Sequence, residues 1–290
     1  MKHENHTGTS RPALAVKTLL SGIAAVALLG FSINAQAGIA CTVDNWTTPT
    51  NLSDANAGTQ GSTNRRYGGP CGLRVAVDDT PRYLTDSSPL AESTYIARFY
   101  AFLNNAGSGA PILIFAADDD TDDVIQVWYE DGDLTLTVFD NGGTPSSAQF
   151  TNIGSGWHSI ELVWEASDAA DNIRFALNTT EEDDEDLVMT VNTSGVSIVN
   201  AHLGNVNGAN TGGAMDFDDF DSRRISRPGR LLCGDANDDG AVNTQDLSAV
   251  RREIFNIETT AGQPDANEDG FINTADLTAI REIIFNLRDC

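Results

Sequence analysis

Apolar and polar residues alternate in short runs through the middle of the chain. Because successive side chains of a strand point to opposite faces, such alternation predicts half-buried β-strands. The clearest case is a hairpin at residues 124–139, where two alternating runs flank the turn EDGD at 130–133. The best runs lie at residues 95–102, 112–115, 124–129, 134–139, 157–164, 173–177 and 187–191. Together they predict an antiparallel two-sheet sandwich.

Near the C-terminus the apolar spacing changes, in two places, to a helical period. The periodic residues are Leu247, Val250 and Ile254 in the first place, and Leu277, Ile280 and Ile284 in the second. Each stretch follows a loop rich in Asp and Asn, and no convincing amphipathic helix precedes either loop. The predicted fold is therefore mainly β, an antiparallel jelly-roll sandwich followed by a small all-α module of two loop–helix units.

The two loop–helix units are copies of one sequence. GDANDDGAVNTQDLSAVRREIFN starts at residue 234 and PDANEDGFINTADLTAIREIIFN at 264, with 14 of the last 22 positions identical. Oxygen-bearing residues occupy loop positions 1, 3, 5, 9 and 12, and glycine occupies position 6. Calcium takes roughly 6 to 8 oxygen ligands, which alternate residues of such a loop supply, while the glycine permits the sharp turn. The predicted ligands are Asp235, Asn237, Asp239, Asn243 and Asp246 with the carbonyl of Ala241, and Asp265, Asn267, Asp269, Asn273 and Asp276 with the carbonyl of Phe271.

This arrangement resembles the dockerin family, whose module is two calcium loop–helix repeats. The resemblance covers about residues 233–290, and it differs from an ordinary EF-hand in having Asp rather than Glu at position 12. It implies two calcium ions and a cohesin-type partner domain. It also implies that the cohesin faces the residues just before position 12 and those on the following helix. These are Thr244, Gln245, Arg251, Arg252, Thr274, Ala275, Arg281 and Glu282.

The first 37 residues have the pattern of a secretory signal peptide. Lys2, Arg11 and Lys17 precede an apolar stretch at 19–33, and AQA at 35–37 is a small-x-small cleavage site. No later segment reaches the roughly 20 apolar residues that a membrane-spanning helix needs. We therefore expect a secreted or extracellular protein. Lipid attachment at Cys41 is an alternative, although Gly38 stands where a bacterial lipobox usually has Leu.

The chain is strongly acidic, with 42 acidic against 17 basic residues and a formal net charge of −25. Such a surface repels nucleic acid phosphates and anionic membranes, and it favours divalent cations. We therefore expect neither a nucleic acid partner nor a membrane span. His and Cys residues do not cluster at metal-ligand spacing, which argues against zinc.

Four cysteines follow the predicted signal peptide, in a part of the chain that would meet an oxidising compartment. Three pairings are possible. Cys233 and Cys290 bracket the two repeats, so a bond between them would clasp the module and stabilise it by about 2–4 kcal/mol. Cys41 would then pair with Cys71.

Two phrases refine the sandwich prediction: GWHSIELVW at residues 156–164 and MDFDDFDSRR at 215–224. They resemble the central and closing strands of concanavalin-like or laminin-G-like jelly rolls. Laminarinase-type glycoside hydrolases share this sandwich and, in retaining chemistry, use two carboxyls about 5–5.5 Å apart. The second phrase offers the carboxylates of Asp216, Asp218, Asp219 and Asp221, but the family pattern has Glu. We expect a closing strand without catalysis, and strict alternation predicts that Phe217 and Phe220 lie on opposite faces.

Other candidate residues have plainer interpretations. The acidic run at residues 118–123 is expected to be a solvated loop rather than a cation site. His158 and His202 are expected to be polar or half-buried strand residues. The aromatic residues Tyr67, Tyr83, Trp128 and Tyr129 could form a sugar-stacking platform or belong to the core, and the sequence leaves both open.

The predicted organisation is a signal peptide at 1–37, a sandwich at 38–225, a basic linker at 226–232 and a dockerin at 233–290. The predicted function is calcium-dependent docking of a glycan-binding or structural sandwich onto a cohesin-bearing partner, in a polysaccharide-related extracellular assembly. The alternative is a polysaccharide-degrading hydrolase or lyase carried by the dockerin. The lack of a Glu-based acid/base motif favours the first interpretation.

Overall fold

The computed structural model describes residues 41–44, 46–58, 65–104, 106–117, 122–179 and 186–289. The predicted signal peptide, most of the acidic run at 118–123 and Cys290 lie outside these ranges. The described residues belong to one compact unit, residues 39–290.

Fourteen strands in the described ranges form two antiparallel sheets. The first sheet contains β1 (Thr48–Thr50), β4 (Arg82–Asp86), β6 (Ile112–Ala117), β7 (Asp123–Glu130), β8 (Asp133–Phe139), β9 (Pro145–Phe150) and β13 (Asn200–Asn205), in the order β1-β4-β13-β6-β7-β8-β9. The second contains β2 (Ala57–Gly58), β3 (Gly72–Ala76), β5 (Thr94–Phe102), β10 (Trp157–Glu165), β11 (Ile173–Leu177), β12 (Leu187–Met189) and β14 (Ala214–Arg223), in the order β12-β11-β10-β5-β14-β3-β2. The predicted mainly-β fold with two antiparallel sheets is confirmed.

Alternation along the strands places one face of each sheet in a shared core. In β8, every second residue is buried, with Leu134, Leu136 and Val138 fully enclosed. These side chains meet Phe99 and Trp164 of the opposite sheet in one apolar cluster. The area removed from water by such side chains is the main stabilising contribution to a sandwich.

Each of the seven runs predicted from alternation contains a strand, with ends that differ by at most two residues. The hairpin is β7–β8, in which Glu130 pairs with Asp133 and the turn residues Asp131 and Gly132 have φ angles of 50° and 96°. Strands that alternation did not predict are short or polar. An example is β9, which is largely exposed at the edge of its sheet.

The structure of the closing strand β14 contradicts one prediction. Its pairing with β5 shifts register between Asp218 and Asp221, and Asp219 at the shift has a φ angle of 46°. The extra residue of this bulge interrupts the alternation of faces. Phe217 is therefore buried in the core, and Phe220 packs against the same core. The prediction that the two rings lie on opposite faces is wrong.

The predicted helices are present as α1 (Thr244–Ile254) and α2 (Thr274–Ile284). They pack on each other around a small apolar cluster that includes Val250 and Ile280. Among helices in the described part of the chain, none is long and apolar enough to cross a bilayer.

Candidate metal centre and docking surface

The first loop, residues 235–246, curls around two buried carboxylates. Asp235 at position 1 accepts hydrogen bonds from the backbone N–H groups of Asp239 (3.1 Å) and Gly240 (2.8 Å). Asp246 at position 12 accepts from those of Asn237 (3.1 Å) and Asn243 (2.8 Å). These bonds close the loop on itself, because Asp235 at its start holds the backbone at its middle, and Asp246 at its end holds the backbone near its start.

The second loop, residues 265–276, repeats this geometry. Asp265 accepts from the backbone N–H of Gly270 at 2.8 Å, and Asp276 accepts from that of Asn273 at 2.8 Å. The glycines at position 6 have nearly equal φ angles, 82° in Gly240 and 84° in Gly270. A residue with a Cβ rarely adopts this conformation, which explains the glycine in both copies.

Burial and charge at the loop carboxylates fit a bound cation. Asp246, Asp265 and Asp276 are fully buried, and among the ion pairs between described residues none involves a loop carboxylate at position 1 or 12. Burial raises the pKa of Asp276 to about 6, and burial together with the charge of Asp276 raises the pKa of Asp265 well above its ordinary value. A divalent cation would offset this repulsion and desolvation.

The oxygen atoms available in each loop suit a hard cation, and carboxylates alone would not hold it. In the described ranges, no three His, Cys, Asp or Glu side chains converge closely enough to hold a metal by themselves. An ion in either loop would therefore also need the amide oxygens at positions 3 and 9 and the carbonyl at position 7. Such an all-oxygen set suits calcium.

The residues at positions 9 and 12 have a second role that the spacing argument missed. Asn243 caps α1 by accepting from the backbone N–H of Gln245 at 2.8 Å, and Asp246 completes a capping box. Asn273 and Asp276 do the same for α2. The sequence signal was present, since a cap residue followed three positions later by an acid at the start of an apolar period is typical of a helix start. The end of each loop therefore fixes the start of its helix.

The residues predicted to face a partner lie in the first turn of each helix and on its later, solvent-facing turns. Seven of them are exposed: Thr244, Gln245, Arg251, Arg252, Thr274, Ala275 and Arg281. Glu282 is half-buried, with its carboxylate 3.9 Å from the guanidinium of Arg288. Arg252 pairs with Glu258 at 2.6 Å on the surface. The structure therefore leaves both predicted faces open to solvent.

One predicted disulfide lies within the described ranges. Cys41 and Cys71 are bonded, with their Cα atoms 5.6 Å apart. Cys233 is buried two residues before the first loop. Its predicted partner, Cys290, lies outside the described residues.

The carboxylates of β14 are held in structural contacts. Asp216 pairs with Arg74 at 2.9 Å and with Arg65 at 3.2 Å. Asp218 accepts from the backbone N–H groups of Tyr67 (2.6 Å) and Gly68 (3.1 Å). Burial and the nearby charge of Asp219 raise the pKa of Asp218 well above its ordinary value. This arrangement accounts for Asp216 and Asp218 without assigning them to catalysis.

The aromatic and histidine candidates separate by burial. Tyr67 is fully buried and stacks on Tyr100 at 3.7 Å, so it is not part of an exposed sugar platform. Tyr129 is buried as well, whereas Tyr83 and Trp128 are half-buried. His158 is buried, and its pKa is lowered by burial. His202 is half-buried and hydrogen-bonds Thr85.

The basic segment 226–232 runs along the sandwich rather than standing free. The guanidinium of Arg227 pairs with Glu161 and with Asp186, the latter at 3.2 Å. The backbone N–H of Gly229 donates to Glu161 at 2.8 Å, and that of Leu231 donates to the Tyr100 hydroxyl at 2.7 Å. The segment therefore brings the C-terminal repeats against the second sheet.

Comparison with known proteins gives distant structural likenesses and one family match. By sequence, no curated protein matches it. Among solved structures it is similar to the botulinum neurotoxin serotype G binding domain, at 10% identity and a TM-score of 0.40, with 55% of this chain and 41% of that one covered. It is also similar to the serotype D ligand-binding domain in complex with N-acetylneuraminic acid, at 10% identity and a TM-score of 0.42, with 64% and 49% covered.

The chain spans less than half the length of these two structures, and the likeness is too distant to indicate a function. The C-terminal repeats give a specific match. Residues 233–284 match the dockerin type I domain family. The two loop–helix units therefore lie in a segment that matches the type I dockerin domain, and this segment follows a β-sandwich in the chain.

Proposed function

We propose that this protein is an exported, calcium-binding assembly protein. Its dockerin binds a cohesin-type domain and so attaches the β-sandwich to an extracellular polysaccharide-related assembly. The sandwich itself has a glycan-binding or structural role. The observation that carries the proposal is the pair of loop–helix units in a matched dockerin domain, with both partner-facing surfaces exposed.

Two calcium ions are expected, one in each loop. Each loop encloses carboxylates at positions 1 and 12 that have no cationic partner among the described ion pairs. Without an ion these charges repel each other, which opposes the fold of the loop and of the helix that it caps. Binding of a partner should therefore depend on calcium.

Export is supported by two independent features. The N-terminal sequence has the pattern of a cleaved signal, and the Cys41–Cys71 bond needs an oxidising compartment to persist. Both features support a docking site outside the cell.

The test is to measure binding of the full chain to cohesin domains from the same organism by calorimetry, with calcium and with a chelator. We expect binding in calcium and a loss of at least about tenfold in chelator. If no cohesin binds in either condition, the docking role is wrong. A glycan panel, with release of reducing sugar measured in parallel, tests the role of the sandwich.

We further propose that the first repeat makes the dominant contact. The two faces differ in charge, because Arg252 in the first corresponds to Glu282 in the second. Placing like charges together at an interface can cost several kcal/mol, so the two orientations of docking should not be equivalent. Arg251→Ala with Arg252→Ala should weaken cohesin binding more than Arg281→Ala with Glu282→Ala. Equal losses would contradict the preference.

A further inference from the structure

The sandwich contacts the two calcium loops unequally. Glu268, at position 4 of the second loop, accepts a hydrogen bond from the Tyr67 hydroxyl at 2.7 Å and pairs with Arg230. The backbone carbonyl of Glu268 accepts from the backbone N–H of Trp157 at 2.9 Å. One residue of the second loop is therefore held by three separate segments of the chain.

The equivalent residue of the first loop has a different environment. Asp238 is exposed. Burial raises the pKa of Asp219 in the sandwich, and the nearby negative charge of Asp238 adds to this effect. Both position-4 residues have a left-handed backbone, with φ angles of 61° in Asp238 and 60° in Glu268. The sandwich therefore braces this conformation in the second loop.

The glycines at position 6 give the same contrast. A Cβ added to Gly270 would lie 2.6 Å from a ring carbon of Phe102 and 2.7 Å from Nε of Arg65. A Cβ added to Gly240 would have nothing within 4 Å. The backbone of the second loop therefore presses against the sandwich, whereas that of the first stands clear at this position.

The surface under the second loop is apolar. Tyr67, Tyr100, Phe102 and Trp157 are all buried and form a cluster separate from the main core, on the outer face of the second sheet. Leu231 packs against this cluster. Since the outer face of a sheet normally meets water, burial of these four rings depends on the dockerin and the segment before it.

We propose that ion binding in the second loop is coupled to its seating on this aromatic cluster, and that the first loop binds its ion independently of these contacts. The inference rests on the proposed calcium binding. Holding Glu268 and Gly270 in place pre-forms the turn that aims positions 1, 3 and 5 inward, so the sandwich removes part of the ordering cost of the second site. Linkage is reciprocal, so an ion in the second loop strengthens the seating by the same factor.

The test measures calcium affinity of each loop separately in the full chain. Asp246→Ala leaves only the second loop able to bind, and Asp276→Ala leaves only the first. Into each background we would introduce Tyr67→Phe, which removes one hydroxyl, or Arg230→Gln, which removes one charge. Arg224→Gln is the matched control, because this Arg lies six residues before Arg230 but pairs with Glu92 of the sandwich. Calorimetry with calcium alone gives the affinities.

We expect Tyr67→Phe and Arg230→Gln to weaken calcium binding by the second loop about 5- to 150-fold, the usual range of coupling between sites. The first loop should change less than about twofold, and the control should change neither. The sign for Arg230→Gln is diagnostic. Removing a cation near a calcium site would strengthen binding if only local electrostatics acted, whereas coupling predicts weakening.

Two outcomes would overturn the inference. Equal changes in both loops would show that the sandwich does not distinguish them, and unchanged or tighter binding by the second loop would show that seating and ion binding are independent. In either case calcium binding itself, and the proposed docking role, would stand. If neither background binds calcium, the proposed calcium dependence fails and this inference fails with it.

Discussion

A buried ion pair between the sandwich and the first repeat offers a direct test of how the two modules are joined. Arg66 donates through Nη2 to Glu253 of α1 and to the hydroxyl of Thr260 at 3.1 Å. The other carboxylate oxygen of Glu253 accepts from the backbone N–H of Thr260 at 3.0 Å. The side chains of Arg66 and Glu253 are only 1% and 4% exposed. Glu253→Ala would leave the Arg66 charge buried without its carboxylate.

The expected cost of Glu253→Ala follows from this burial. Removing one partner of a buried ion pair costs about 3–5 kcal/mol, because the other charge stays desolvated. For a chain of this size that is a fall of about 6–20 °C in the unfolding temperature. Replacing both partners by apolar residues, as in Arg66→Met with Glu253→Leu, should restore most of the loss, since no charge then remains buried.

Scanning calorimetry of the full chain in calcium measures these changes. The control is the exposed pair Arg252 and Glu258, which lies on the same repeat with side chains 56% and 45% exposed. Breaking this pair by Glu258→Ala should cost no more than about 1 kcal/mol. If Glu253→Ala costs as little as the control, the buried pair does not join the modules as the structure indicates. If the double apolar variant is as unstable as the single one, packing rather than charge burial sets the cost.

Three further predictions address the loops and the core. Asp246→Ala combined with Asp276→Ala should abolish the calcium-dependent gain in helix content seen by circular dichroism, and calorimetry that still finds two sites would refute the ligand assignment. Gly240→Ala and Gly270→Ala each place a Cβ at a left-handed φ, which costs about 1–2 kcal/mol. Only Gly270→Ala also meets a ring carbon at 2.6 Å, so it should unfold at lower urea than Gly240→Ala, and equal midpoints would contradict the contact. Trp164→Ala should cost about 3–5 kcal/mol because the ring is fully buried, and a loss under about 1 kcal/mol in urea unfolding would contradict its place in the core.

The shape of the two loops and the helix positions could be predicted because their signals are local. A loop of 12 residues with oxygens at fixed steps specifies its own turn, and the helix after it starts at a capping residue inside the same motif. The hairpin at β7–β8 was predictable for the same reason, since Asp131 and Gly132 favour the left-handed conformation that its turn needs.

The contacts between the modules could not be predicted, because they join residues far apart in the chain. Arg66 and Glu253 are separated by 187 positions, and Tyr67 and Glu268 by 201. The local sequence around each of these residues does not indicate its partner. The bulge in β14 was missed for a related reason, since alternation assumes an uninterrupted strand and one residue at a left-handed φ is enough to break it.

Contacts with the sandwich explain some of the sequence differences between the two repeats. Eight of the 22 aligned positions differ. Three of these hold a residue that contacts the sandwich, namely Glu268 against Asp238, Phe271 against Ala241, and Glu253 against Ile283. Glu268 receives the Tyr67 hydroxyl, Phe271 lies under the guanidinium of Arg65 at 5.0 Å, and Glu253 pairs with Arg66. The predicted calcium ligands, by contrast, are the same residue types in both copies apart from the position-7 residue, whose predicted ligand is its backbone carbonyl. The two copies therefore keep one predicted ligand set, and three of their differences lie at contacts with the sandwich. These three contacts distinguish the repeats, so they favour a single orientation of the C-terminal module on the sandwich.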